Sequence, residues 1–251
     1  MILFRHEQIQ RFEKFSNSNE REELLRELTV FAPLSVEHVP REYLDLFIAV
    51  VMKRSSEHGF TMRATITFFQ EVCVLLGIGF TSDPQYELVI DVMHDSSYTD
   101  ELERADLVWE DLADFLENTA GDEFEFHTAA VRRLQDFALT YKVRPQSFND
   151  ESLLALLGEI YPEKIDFIGE QAVLSLIEHA RKSCGVYLLD EDVGTVSVAC
   201  AMYFLGHECF SDFLFPWIRK ALDGPMTLSP AERAIRLQHR FTRYLSDYLQ
   251  P

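Results

Sequence analysis

ITFFQEVCVLLG, residues Ile66–Gly77, places apolar side chains on nearly every side of a helix, and so does GTVSVACAMYFLG, Gly194–Gly206. That pattern suits a helix enclosed by other helices, whereas a surface helix keeps one polar face. Each run ends at a glycine and a short loop, then reaches Ser-Asp, Ser82-Asp83 or Ser211-Asp212. An aspartate there can accept from the free N–H groups of the helix that follows. One chain therefore presents the same buried helix, stop and cap twice. The offset is 206 − 77 = 129, which also sets Leu205 under Leu76 and Asp212 under Asp83.

Working outward, nearly every segment carries helical periodicity and strand-like alternation is scarce. The first half predicts helices near residues 4–16, 20–31, 40–58, 61–76, 84–94 and 99–118. The second predicts them near 124–142, 149–160, 163–183, 190–205, 213–223 and 229–249. Pro40 and Pro84 suit first helical positions, and Gly59 and Gly77 suit left-handed helix ends. Upstream of the shared stretch, matching Gly185 to Gly59 gives 185 − 59 = 126, which implies about three residues of loop difference. The expected fold is all-α, two diverged copies of a roughly six-helix module, divided into residues 1–120 and 121–251.

With 251 residues, nearly half of them apolar, the chain can build a sizeable core without staples. Cys73, Cys184, Cys200 and Cys209 form no CxxC pair and read as reduced, buried small hydrophobes. The first residues offer no secretory apolar core, and the longest apolar runs are too short to span a bilayer. Both features point to the cytoplasm.

Catalytic motifs fail one by one. GHECF, Gly206–Phe210, would need a second histidine four residues after His207 to present two imidazoles on one helix face, and Ser211 stands there. His207 then reads as a loop or cap residue, with Cys209 too small a complement for a metal. Asp190, Glu191 and Asp192 open a helix, where carboxylates stabilise the positive end of the dipole. No nucleophile elbow, phosphate-cradling loop or dinucleotide fingerprint occurs. No enzyme activity, cofactor or metal is expected.

The net charge is −19, from 42 acidic and 23 basic residues, which argues against nucleic-acid or anionic-membrane binding. Its focus is Asp95–Glu125, with twelve carboxylates against Arg104 alone, 1 − 12 = −11. Leu102, Ala105, Trp109, Leu112 and Leu116 have core spacing there, with Glu103, Asp106, Glu110, Asp114 and Glu117 opposite. Like charges at i,i+4 cost a few tenths of a kcal/mol each. A face that opposes its own folding is a candidate binding surface. The predicted contact residues are Asp100, Glu103, Asp106, Glu110, Asp111, Asp114 and Glu117, and the expected partner is a protein with a basic surface. The main basic stripe, Arg233, Arg236, Arg240 and Arg243, is read as solvated or paired within the molecule.

The twin stretches also resemble a motif, Gly-x-x-Phe-x-x-Asp-Pro-x-x-Pro-Trp, in small helical proteins encoded beside type VI secretion effectors. Gly77, Phe80, Asp83 and Pro84 match it in the first copy, and Gly206, Phe210, Asp212, Pro216 and Trp217 in the second. The first copy lacks Pro-Trp and the second lacks Asp-Pro. The resemblance implies an immunity protein that neutralises a toxin, or an adaptor that holds an effector for secretion. From another class, a metal-dependent hydrolase would have to be built around His207 and Glu208.

Overall fold

The computed structural model describes the backbone of residues 6–95, 97–143, 148–223 and 228–248, and side chains within those ranges for residues 19–141, 148–223 and 228–247. Thirteen α-helices and two 3-10 turns account for the regular structure of these residues, and no strand occurs among them. The fold is all-α.

The first half contributes α1 (His6–Phe31), α2 (Pro33–Val36), α3 (Arg41–Glu57), α4 (Arg63–Leu76), α5 (Glu87–His94) and α6 (Glu101–Ala120). The second contributes α7 (Glu125–Val143), α8 (Asp150–Ile160), α9 (Pro162–Ile168), α10 (Glu170–Val186), α11 (Glu191–Leu205), α12 (Pro216–Leu222) and α13 (Pro230–Tyr248). Two expected boundaries move. From His6 onward the two helices expected over 4–16 and 20–31 are one helix, α1, because neither glycine nor proline interrupts it, and residues 4 and 5 lie outside the described residues. The single helix expected over 163–183 is cut at Gly169, whose φ of 81° and ψ of 156° no helix can contain. Pro40 precedes α3 as its cap residue, and Pro84 opens a 3-10 turn rather than α5.

Three pairs of helix starts recur at one spacing, 170 − 41 = 129 for α3 and α10, 216 − 87 = 129 for α5 and α12, and 230 − 101 = 129 for α6 and α13, while α4 and α11 start 191 − 63 = 128 apart. The ends of α3 and α10 recur at the same spacing. Phe60 N–H donates to Ser55 C=O at 2.8 Å and Leu189 N–H to Cys184 C=O at 2.9 Å, the six-to-one bond of a Schellman cap. Matching Gly185 to Gly59 was therefore incorrect. Gly185 lies inside α10, and the left-handed position opposite Gly59 is held by Leu188 at φ 53°. The loop that follows differs by one residue, 58–62 against 187–190, rather than three.

Two apolar cores result. One runs from Leu24 to Phe115 and also takes in Leu214, while the other runs from Ala130 to Leu245. The second half reaches into the first core again with Phe167, Ile168 and Phe213. As expected, α11 is enclosed, whereas α4 buries one side and leaves Thr67, Phe68, Glu71, Val74 and Leu75 half-buried. Every residue of α11 from Gly194 to Tyr203 is buried, as are all four cysteines, whose thiols are free.

Candidate functional site

The two opening stretches meet each other. A Cβ on Gly77 would lie 2.5 Å from the carbonyl oxygen of Leu205, and one on Gly206 would lie 2.6 Å from that of Leu76. Both glycines have φ near 90° and ψ near 155°, a region open almost only to glycine, so the two helix ends abut backbone to backbone.

The caps then cross over. Asp83 uses Oδ1 for its own turn, accepting from Gln85 N–H at 3.0 Å, and Oδ2 for the other half, accepting from His207 N–H at 2.6 Å. Asp212 does the same, with Oδ1 accepting from Leu214 N–H at 2.8 Å and Oδ2 from Ile78 N–H at 3.2 Å. Both aspartates are buried. They were expected to cap the helices that follow. Instead α5 and α12 begin several residues later, after a 3-10 turn and an irregular one, and the second oxygen of each carboxylate holds the halves together. Burial raises the Asp212 carboxyl to about 6, although the two N–H donors and Arg54 favour its charged form.

Around this junction the end of α11 gains further partners. Gln85 Nε2 donates to Met202 C=O at 3.1 Å and Lys164 Nζ to Tyr203 C=O at 2.6 Å, which satisfies carbonyls that the helix leaves unpaired. Lys164 is buried, with the rings of Tyr203, Tyr86 and Phe115 centred 4.8, 5.6 and 5.9 Å from its ammonium. Burial lowers its pKa to about 7, against the opposing pull of Asp83. On the other side Arg54 bridges the halves, donating to Ile78 C=O and to Glu208 Oε2, each at 2.6 Å.

His207 sits against two side chains of the first half. Ser82 Oγ lies 3.4 Å from its Nε2 and Asp83 Oδ2 lies 3.2 Å from its Nδ1. Those are loose triad distances. However, Asp83 Oδ2 is already engaged by the backbone N–H of His207, and Nδ1 has no aligned hydrogen-bond partner. Neither Ser82 nor His207 lines the cavities of about 530 and 620 Å³ at the junction. Among the described residues no group of three histidine, cysteine or carboxylate side chains could hold a metal, and Cys209 is buried.

Helix α6 holds the predicted contact residues. Asp100 accepts from Leu102 N–H at 2.8 Å and Glu103 N–H at 3.3 Å, so it is the N-cap of α6. Glu103, Asp106, Glu110, Asp114 and Glu117 are exposed, and Asp111 is half-buried. None of these six pairs with a cation among the described residues. Arg104, the only base in the segment, turns away to donate to His58 C=O at 2.7 Å, its guanidinium 4.5 Å from the Phe60 ring centre. The Asp111 carboxyl is raised by burial first, then by Asp114, Glu110 and Asp91.

The core face of α6 is the expected one only in part: Ala105 and Leu112 are buried and Leu116 packs against the core. Ala105, Val108, Leu112, Phe115 and Thr119 point inward, whereas Leu102 is 48% exposed and Trp109 51% exposed. Two apolar heptad series run along this helix, and the one containing Val108 and Phe115 won the core. Trp109 is left standing among carboxylates. On α13, Arg236 and Arg240 have no ion-pair partner among the described residues, and Arg243 pairs with Asp247 at 3.7 Å, so no ion pair of these arginines reaches α6.

No family model, no curated protein and no solved structure matches this chain.

Proposed function

We propose that this chain acts by stoichiometric binding to the basic surface of another protein, through the outer face of α6. We further propose that the partner is a secreted bacterial toxin of the type VI kind, which the chain neutralises in the cytoplasm. The observation that carries the binding reading is Trp109, half-exposed with Leu102 along one edge of a row of unpaired carboxylates. A half-exposed tryptophan at the edge of a charged face is the kind of aromatic anchor with a polar rim that interface hot spots use. The carboxylates supply attraction and speed of encounter, and a cationic surface would relieve their mutual repulsion. The toxin reading rests on the motif resemblance alone. We read the 129-residue recurrence of three helix starts and of the caps as duplication of one module, only the first of whose copies carries this ridge.

The test is to capture tagged protein with neighbouring gene products, then express each captured partner in a sensitive cell with and without this chain. Restored growth supports neutralisation. A partner secreted only when the chain is present, with its activity intact, would mark an adaptor, and the absence of any partner would overturn the binding reading.

A further inference from the structure

Helix α13 occupies the place in the second half that α6 occupies in the first, yet its charge is opposite. Between the side chains of its outer face lies a shallow, open groove of about 460 Å³, lined by this helix alone through Glu232, Ile235, Arg236, His239, Arg240 and Arg243. Ile235 is 41% exposed there. Arg236 donates to the Lys220 carbonyl at 2.8 Å, which holds its guanidinium in place while leaving its charge uncompensated. Ile235 neighbours Glu232 and His239 on the helix surface with Arg236 beside it, and a guanidinium group can stack favourably on an indole face.

The molecule also carries a ridge of complementary form. Trp109 stands on α6 between Asp106 and Glu110, with Asp114 one further turn along. At 1.5 Å per residue, Asp106 to Asp114 spans about 12 Å and Arg236 to Arg243 about 10 Å, so the two charge rows match in length. We propose that the Trp109 ridge of one copy docks in the α13 groove of a second copy, with the indole against Ile235 and the carboxylates of α6 facing Arg236, Arg240 and Arg243. The contact joins unlike faces, so each copy offers one ridge and one groove. It needs no other protein, and a toxin bound to α6 would compete with it.

The experiment is sedimentation of the purified full chain across a concentration series at low and high salt, with two charge-reversed variants. One carries Asp106→Arg, Glu110→Arg and Asp114→Arg; the other carries Arg236→Glu, Arg240→Glu and Arg243→Glu. Wild type should exceed its 29.1 kDa monomer mass as concentration rises, and lose that excess in high salt. Each variant alone, with ridge and groove now alike in sign, should remain monomeric with unchanged helical circular dichroism. Mixed in equal amounts they should associate, because each ridge meets a groove of opposite charge. Trp109→Ala, which keeps every charge, should weaken wild-type association at least tenfold. A wild type monomeric at every concentration overturns the proposal, as does association that survives both reversals or a mixture that stays monomeric. None of these readouts involves a toxin, so loss of this proposal leaves toxin binding standing, and the reverse also holds.

Discussion

Replacing Gly77 by alanine tests the backbone contact between the halves, and three other glycines separate its components. Gly169 shares the backbone of Gly77, with φ 81° and ψ 156° against 92° and 156°, yet a Cβ there meets nothing within 4 Å. Gly169→Ala therefore measures the strain alone, about 1–3 kcal/mol. Gly185 sits in α10 with equally open space, so Gly185→Ala should stabilise by roughly 0.5–1 kcal/mol through helix propensity. Gly77→Ala incurs the same strain and also places Cβ 2.5 Å from Leu205 O, a backbone atom that can retreat only if the two helix ends part. Overpacking of that kind adds about 1–3 kcal/mol, for a total of roughly 2–6 kcal/mol. For a chain of this size a loss in that range lowers the melting temperature by at least about 4 °C. Gly206→Ala should cost the same. The double variant should cost less than the sum, because parting the ends for one methyl makes room for the other. Urea unfolding of the five variants gives the order directly. If Gly77→Ala is no worse than Gly169→Ala, the abutting junction is refuted.

Other consequences concern the groups buried at the junction. Lys164 has a folded-state pKa lowered to about 7, so its contribution to stability is full above its unfolded value and is lost as pH falls through 7. The stability of wild type relative to Lys164→Met should therefore rise between pH 7 and 10, by up to about 1.4 kcal/mol per pH unit; parallel curves would show that the ammonium is not buried. Asp212 is the opposite case. Its raised pKa, about 6, gives a contribution present below its unfolded pKa and lost as pH rises through 6. Wild type relative to Asp212→Asn should lose stability from pH 4 to 6 and stay level above 7. Breaking the Arg54–Glu208 bridge with Glu208→Gln should cost about 1 kcal/mol or less, since both side chains are partly exposed, and chemical denaturation would detect a larger loss.

The helices were legible because their cause is local. Apolar periodicity located α4 and α11, and glycine ended both. The cross-over caps were not legible, because Asp83 and Asp212 look like ordinary caps until the partner N–H groups of His207 and Ile78 arrive from the other half. The 126-residue step misled for a related reason. It matched glycine to glycine, although a Schellman cap is defined by hydrogen bonds and Leu188 holds that position at φ 53° despite its side chain. On α6, Leu102–Trp109–Leu116 and Val108–Phe115 are both plausible core series. Only the neighbours decide between them, and Phe115 packs edge-on against Tyr86 and Phe167. The acidic face itself was legible, since twelve carboxylates in one segment need no tertiary context to repel one another. Its apolar centre was not.

The most direct test of the binding account is the affinity of the captured partner for wild type, Trp109→Ala and Glu110→Lys, measured by calorimetry at two or more salt concentrations. A one-to-one complex should weaken steeply with salt, with each substitution costing at least about 2 kcal/mol, a loss of some thirtyfold, as expected at a hot spot. Equal affinity for all three proteins, or binding indifferent to salt, would contradict the assignment of α6 as the contact surface.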